Sequence, residues 1–144
     1  MKAMAPIRPT ELQQCRFRLP ANPTAAAQAR AKVREAIAAW DIEIDLEAAV
    51  LLTSELVTNA VTHDGGDVIT LAISRYDCQL RVDVHDSSTD LPSPACAAPL
   101  DAETGRGLVL VDTIADQWGY YRTSTGKAVY FTLTFPPAVS LGDE

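Results

Sequence analysis

Apolar and polar residues alternate in five short stretches of the chain. An alternation with a period of two is typical of β-strands that bury one face. Two pairs of these stretches are separated only by short turns, Asp77-Cys78 and Thr125-Gly126. This closeness in sequence predicts two antiparallel hairpins. The five predicted strands cover residues 15–19, 68–76, 79–86, 118–124 and 127–135.

Three other stretches are predicted to be helices. The first follows Asn22 and Pro23, which suit an N-cap and a first helical position, and runs through an alanine-rich segment to Trp40. The second starts after Asp45, which can cap it, and stops at the Asp-Gly-Gly of residues 64–66. The third covers residues 105–116. The second has the 3.6-residue spacing of one buried face, formed by Leu46, Ala49, Val50, Leu56, Val57, Ala60 and Val61.

The order of these elements indicates the fold class. Strands occur in hairpins and do not alternate singly with helices, so the sequence predicts an α+β two-layer sandwich with a mixed, mostly antiparallel sheet and helices on one face. We expect one domain over residues 15–136, a flexible lead-in at 1–14 and a flexible tail at 137–144. The proline-containing stretch 87–104 has little periodicity, and loops of this length are commonly functional or disordered.

Composition and charge narrow the possible functions. The 144 residues carry a net charge of −7 and no Lys/Arg cluster, which argues against direct nucleic-acid or membrane binding. The three cysteines, Cys15, Cys78 and Cys96, form no C-x-x-C pair and predict neither a disulfide framework nor a zinc site. The N-terminal residues lack the apolar run of a signal peptide, and no apolar run approaches the ~20 residues of a membrane span. We therefore expect a soluble, cytoplasmic protein with reduced thiols.

The second predicted helix carries a possible metal and nucleophile site. Glu55 and Asn59 lie one turn apart, and at about 100° per residue they are predicted to project nearly opposite the centre of the buried face. An amide oxygen suits Mg²⁺ when phosphates supply the remaining oxygens. A carboxylate one turn earlier could orient a nucleophile or accept its proton. Taken alone, such a pair is far more often part of a solvated helix face.

Two further stretches could bind parts of a nucleotide. Asp86 ends a predicted strand and could accept a hydrogen bond from an exocyclic amino group such as that of adenine, although an Asx-turn is the better explanation of this residue taken alone. Gly105 and Gly107 flank Arg106 just before the third helix. Backbone N–H groups there could bind an anion, and Arg106 could bind a terminal phosphate, but a flexible hinge is the simpler interpretation.

Together, in this order, the three stretches resemble the motifs of the GHKL ATPases, the superfamily of gyrase, Hsp90, histidine kinases and MutL. The matching segments are ELVTNAVTH (55–63), DVHDSSTDLP (83–92) and TGRGLVLV (104–111). Within that superfamily the chain is most similar to the small bacterial anti-sigma-factor serine/threonine kinases. That similarity lies in LLTSELVTNAV (51–61), GRGLVLVDTIADQWGY (105–120) and GKAVYFTL (126–133). The resemblance covers roughly residues 15–136.

The resemblance implies a Bergerat-type ATP-binding fold with ATP and Mg²⁺ as ligands. Asn59 would hold Mg²⁺, Glu55 would act as general base, and Asp86 would accept from the adenine amino group. The implied function is phosphorylation of an anti-sigma-factor antagonist and sequestration of a sigma factor by a homodimer. An ATP lid over residues 87–107 would close on the nucleotide, with contacts from Gly105, Arg106, Gly107 and Leu108.

Three alternatives stay open at this point. The D-x-G of the superfamily reads Asp86-Ser87-Ser88 here, which is compatible with a catalytically weak or inactive module that regulates by sequestration alone. A histidine-kinase catalytic domain from a larger protein and a plain ATPase are the other two. His63 could lie beside the phosphates or simply end its helix. Trp40, Trp118 and Tyr120 are expected to serve packing.

Overall fold

The computed structural model describes residues 13–63, 66–88 and 110–136. The predicted lid beyond residue 88, including Gly105, Arg106, Gly107 and Leu108, lies outside the described residues, as do the predicted lead-in and tail almost entirely. The elements are strand β1 (Gln13–Pro20), helices α1 (Ala25–Ala39) and α2 (Leu46–His63), and strands β2 (Val68–Arg75), β3 (Gln79–Asp86), β4 (Gln117–Thr123) and β5 (Gly126–Thr134). Residues 110–114 are also helical.

The five described strands form one sheet in the order β1-β2-β3-β5-β4, and all four pairings are antiparallel. The α+β prediction is therefore confirmed. The predicted turn at Thr125-Gly126 is wrong by one residue, because Thr123 pairs with Gly126 and the turn consists of Ser124 and Thr125. Gly126 is already part of the ladder with β4, and its α-carbon lies against the end of β3.

Helices α1 and α2 pack on one face of the sheet. Alternate residues of β2, β3 and β5 face them, whereas the intervening residues form the opposite face. Val82 and Phe131, which are register partners on β3 and β5, are fully buried at the centre of this layer. Burial of such side chains is the main stabilising contribution to the fold.

The helix starts differ in how well the sequence predicted them. Asp45 caps α2 as predicted, since its Oδ1 accepts a hydrogen bond from the Ala48 N–H at 3.1 Å. The N-cap of α1 is Thr24 rather than Asn22. Asn22 instead forms a turn before the helix, where its Oδ1 accepts bonds from the N–H and hydroxyl of Thr24 at 2.9 and 2.6 Å.

The C-terminal ends of α2 and β3 and the start of β5 lie at the same end of the two-layer fold. Helix α2 ends at His63 and β2 begins at Val68, so the C-terminal end of α2 lies near the start of β2. Thr70 of β2 pairs with His85 near the end of β3, and Asp86 pairs with Lys127 near the start of β5. The same end of the sheet therefore carries the last residues of β3 and the first residues of β5. No helix within the described ranges is long and apolar enough to cross a membrane.

Candidate nucleotide-binding site

Asn59 on α2 presents an acceptor that nothing in the described structure satisfies. Its Oδ1 is buried and receives no hydrogen bond from the described residues. The prediction that Glu55 and Asn59 project opposite the buried face needs correction, because both are half-buried at its margin. In the part of α2 around Glu55 and Asn59, the exposed positions are Thr58 and Thr62. From the margin of the buried face, a side chain of α2 can reach a site between the helices and the sheet.

A hard cation would satisfy this oxygen. A buried carbonyl without a partner costs about 1–3 kcal/mol, so such an atom in a folded protein points to a missing ligand. The described residues contain no cluster of three or more His, Cys, Asp or Glu side chains that could hold a metal by themselves. An amide oxygen that leaves most positions to phosphates and water suits Mg²⁺. The chemistry of Asn59 thus fits the metal that the sequence predicted.

Asp86 faces the helices from the end of β3, and its side chain is fully buried at 0% exposure. Its Oδ1 and Oδ2 accept hydrogen bonds from the Lys127 ammonium at 3.0 and 2.9 Å. The Ser88 N–H donates to Oδ1 at 2.8 Å, which is the Asx-turn that the sequence left open. Asp86 therefore has a structural role in the described chain.

Lys127 is the residue that sequence reasoning missed. It is only 2% exposed and lies directly across the sheet from Asp86. A signal for it was present, because Lys127 has the same two-residue phase as the core residues Val129, Phe131 and Leu133. A lysine in phase with a buried strand face needs a counter-charge, and Asp86 supplies it.

Gly126 allows the start of β5 to approach the end of β3. A Cβ at this position would lie 2.6 Å from the Ser87 α-carbon and would overlap the carbonyl oxygen of Asp86. Both neighbours are backbone atoms, which cannot move aside as a flexible side chain can. Glycine is therefore required for the close contact that brings Lys127 next to Asp86.

Comparison with known proteins identifies the domain type. Residues 19–133 match the family described as the histidine kinase-like ATPase domain. The chain belongs to this family. Domains of this family bind ATP, generally with Mg²⁺, which agrees with the chemistry of Asn59. Among curated proteins, no sequence matches the chain.

A solved structure shares the fold of this histidine kinase-like domain. It is the crystal structure of the RsbU and RsbW domains of Rv1364c from Mycobacterium tuberculosis, with 23% sequence identity and a TM-score of 0.66. The alignment covers 89% of the present chain but 35% of that chain. The histidine kinase-like domain thus corresponds to about a third of the length of that protein. At this identity the comparison supports the architecture.

The opposite face of the ATPase domain's sheet carries a second buried carboxylate. Asp83 accepts two hydrogen bonds from the guanidinium of Arg81, at 2.9 and 3.0 Å, and one from the Tyr121 hydroxyl at 2.9 Å. The Arg81 guanidinium also lies 4.0 Å from the ring centre of Tyr130. These contacts form a hydrogen-bonded network on this face of the sheet.

The network shifts the pKa values of its members. Burial raises the pKa of Tyr121 to about 12, and the negative charge of Asp83 acts in the same direction. The hydrogen bond to Asp83 raises the pKa of Arg81. Burial lowers the pKa of His85 below its ordinary value, and the charge of Asp83 partly opposes this. The neutral tyrosine and the charged arginine are thus the forms that the folded domain favours.

A groove of about 440 Å³ lies between α1 and α2. Arg30 and Arg34 contribute positive charge, and Leu46 and Leu51 are each 40% exposed. The groove is fixed by a hydrogen bond of 3.0 Å from Arg30 Nη1 to the Ser54 hydroxyl. Exposed leucines beside arginines are typical of protein-binding surfaces more than of nucleotide sites.

The remaining predicted residues are placed as follows. Trp40 and Trp118 pack against the core, and Trp118 Nε1 donates to Asp112 at 2.7 Å. Tyr120 was expected in packing but is 41% exposed on edge strand β4. His63 ends α2, and its side chain lies outside the described atoms.

Proposed function

We propose that this histidine kinase-like domain is an ATP-binding anti-sigma-factor-type serine/threonine kinase that phosphorylates an anti-sigma-factor antagonist and sequesters a sigma factor. The observation that carries the proposal is the buried Oδ1 of Asn59, which lacks a partner among the described residues on a helix of an ATPase-family domain. The sequence similarity to anti-sigma-factor kinases and the fold shared with the RsbU and RsbW domain structure support the finer assignment.

In this proposal each residue of the site has one role. Asn59 holds Mg²⁺, which when bound neutralises phosphate charge and orients the nucleotide. Glu55, one turn earlier on α2, accepts the proton of the substrate hydroxyl as that oxygen bonds to the terminal phosphorus and ADP leaves. Asp86 accepts from the base. Gly105, Arg106, Gly107 and Leu108 contact the phosphates from the lid.

The partners are proposed from the same resemblance. The domain acts in the cytoplasm as a homodimer that binds a sigma factor and, competitively, the unphosphorylated antagonist. The groove between α1 and α2 supports a protein partner, because it combines positive charge from Arg30 and Arg34 with exposed apolar side chains. A partner segment with acidic and apolar residues would complement it.

Calorimetric titration of ATP with Mg²⁺ into the wild type, Asn59→Ala and Thr58→Ala tests the site. Thr58 is the matched control because it is the exposed neighbour on the same helix. We expect micromolar-range binding by the wild type and the Thr58 variant, and at least about tenfold weaker binding by Asn59→Ala. Since the substitution removes a buried acceptor without a partner, Asn59→Ala should not lower the free energy of unfolding.

Equal binding by Asn59→Ala and the wild type would contradict the metal site. The kinase step has its own test, in which purified protein is incubated with radiolabelled ATP and candidate antagonist proteins. Transfer of label to a Ser or Thr, abolished by Glu55→Gln, is expected. Phosphate release without a protein acceptor would instead indicate a plain ATPase.

A second candidate function is sequestration without catalysis. The bonds from Lys127 and Ser88 to Asp86 favour it, because they already use most of the hydrogen-bonding capacity of the proposed base acceptor. In that case the wild type would show no heat and no thermal stabilisation with ATP, yet would still bind its partners.

A further inference from the structure

Lys127 and Asp86 form the most deeply buried ion pair in the described chain, with 2% and 0% of their side chains exposed. An ion pair in this environment loses more hydration energy than an apolar pair of the same size, so its presence needs a reason beyond packing. Specific recognition is such a reason, because buried polar groups discriminate between ligands more sharply than apolar ones.

The hydrogen-bonding capacity of the pair is incompletely used. A carboxylate offers about four acceptor positions and an ammonium three donors. Asp86 Oδ1 accepts from Lys127 and from the Ser88 N–H, whereas Oδ2 accepts only from Lys127 among the described residues. Lys127 Nζ donates two bonds, both to Asp86. Within the part of the chain that the structure describes, one acceptor position on Oδ2 and one N–H on the adjacent Nζ thus remain unused.

A donor beside an acceptor is a pattern that purine bases complement in two ways. Adenine presents an N6 amino donor next to the N1 acceptor, and guanine presents an N1–H donor next to the O6 acceptor. A carboxylate alone would form a hydrogen bond only with the donor group of either base. The added ammonium also satisfies the O6 of guanine, which would otherwise lose its hydrogen bond to water.

We propose that Lys127 is a specificity-determining residue of the nucleotide site, and that with Asp86 it lets the site bind guanine nucleotides as well as adenine nucleotides. The inference rests on the proposed function, since it assigns the base-binding end of that same site. In this proposal Lys127 donates a hydrogen bond to the acceptor atom of the base. Gly126 allows the start of β5, and with it Lys127, to lie close to the end of β3.

Competitive calorimetry with ATP, GTP and ITP in the presence of Mg²⁺ tests the proposal on the wild-type protein. ITP keeps the N1–H and O6 of guanine but lacks its 2-amino group. We expect GTP and ITP to bind within about tenfold of ATP. A GTP affinity more than tenfold below that of ATP would overturn the inference and leave the proposed ATP site intact. Absence of binding by all three nucleotides would overturn both.

Two variants separate base reading from folding. Lys127→Met keeps the length of the side chain and removes the donor that faces O6 of guanine or N1 of adenine. Because the carbonyl O6 is the stronger acceptor, its loss of a charge-assisted bond should weaken GTP and ITP on the order of tenfold more than ATP. The double variant Asp86→Asn with Lys127→Met removes both buried charges and serves where the single variant is poorly folded. It should show the same selective loss of GTP and ITP relative to ATP. An equal change for all three nucleotides in the folded variant would assign Lys127 a purely structural role.

Discussion

Strand β3 carries two buried carboxylates, three residues apart and on opposite faces of the sheet. Asp83 on the outer face is bound by Arg81 from its own strand and by Tyr121, and the Arg81 side chain is 29% exposed. Asp86 on the helix-facing side is bound by Lys127 from β5, and both side chains are almost completely buried. The cation that binds Asp83, Arg81, is partly exposed to solvent. The cation that binds Asp86, Lys127, is buried.

This difference separates the network around Asp83 from the proposed base-binding position at Asp86. Asp83 and Asp86 each accept three hydrogen bonds from described residues, and the aromatic ring of Tyr130 covers the arginine that binds Asp83. Asp86 keeps an acceptor position next to a buried ammonium donor, at the same end of the sheet where α2 ends. Burial alone therefore does not mark a functional carboxylate. What distinguishes Asp86 is the burial of its cation, because Lys127 is 2% exposed and Arg81 is 29% exposed, so water cannot complete the hydrogen bonding of the inner pair.

The largest effect on stability is expected when Lys127 is removed from its ion pair with Asp86. Lys127→Met leaves the Asp86 carboxylate buried without its cation, and we expect the free energy of unfolding to fall by about 3–5 kcal/mol. The double variant Asp86→Asn with Lys127→Met should recover much of that loss, because no buried charge is left and the Asn oxygen can still accept from Ser88. Urea unfolding of the three proteins measures this, and equal stability of single and double variants would contradict it.

A smaller effect is expected for the outer pair. Arg81→Met removes a partly exposed cation, while Asp83 keeps the Tyr121 hydroxyl and gains access to water. We expect a loss of about 1 kcal/mol in the same urea experiment. A loss as large as that of Lys127→Met would mean that the two carboxylates have equivalent surroundings, and the contrast between the faces would fail.

The smallest effect concerns pH. The pKa of Tyr121 is raised to about 12 in the folded domain from an ordinary value of 10. The folded state therefore holds this proton more tightly than the unfolded state, so its stabilising contribution is complete below pH 10 and is lost as the pH rises towards 12. Tyr121→Phe should make unfolding less dependent on pH in that window. Chemical denaturation at pH 9 and 11 measures the difference, with Tyr120→Phe as the control on the same strand.

The sequence predicted the elements well because their causes are local. Strand alternation and the 3.6-residue spacing of α2 depend on residues a few positions apart, and the observed bounds differ by one or two residues. The Asp45 cap was predictable for the same reason. The turn before β5 was misplaced because Gly126 is required by a contact with β3 rather than by the turn.

The sequence indicates the residue types of the candidate site but not their contacts. The spacing of Glu55 and Asn59 gives their direction on the helix, but the burial of Asn59 Oδ1 depends on neighbours from other elements. The bond between Lys127 and Asp86 joins residues 41 positions apart. Periodicity places Lys127 on the inner face, yet only the strand order β3-β5 brings it opposite Asp86.

The position of β5 in the sheet also governs the order in which the molecule can assemble. The last described strand in the sequence lies between β3 and β4, so β3 keeps an unpaired edge until residues 126–134 are available. During synthesis, the earlier strands and both helices can meet before the ammonium that neutralises Asp86 has been made. Pairing of such distant segments is slow, and an open strand edge attracts other chains. The end of the sheet that carries Asp86 is thus the last part to mature, and a nascent chain is most exposed to aggregation just before it does.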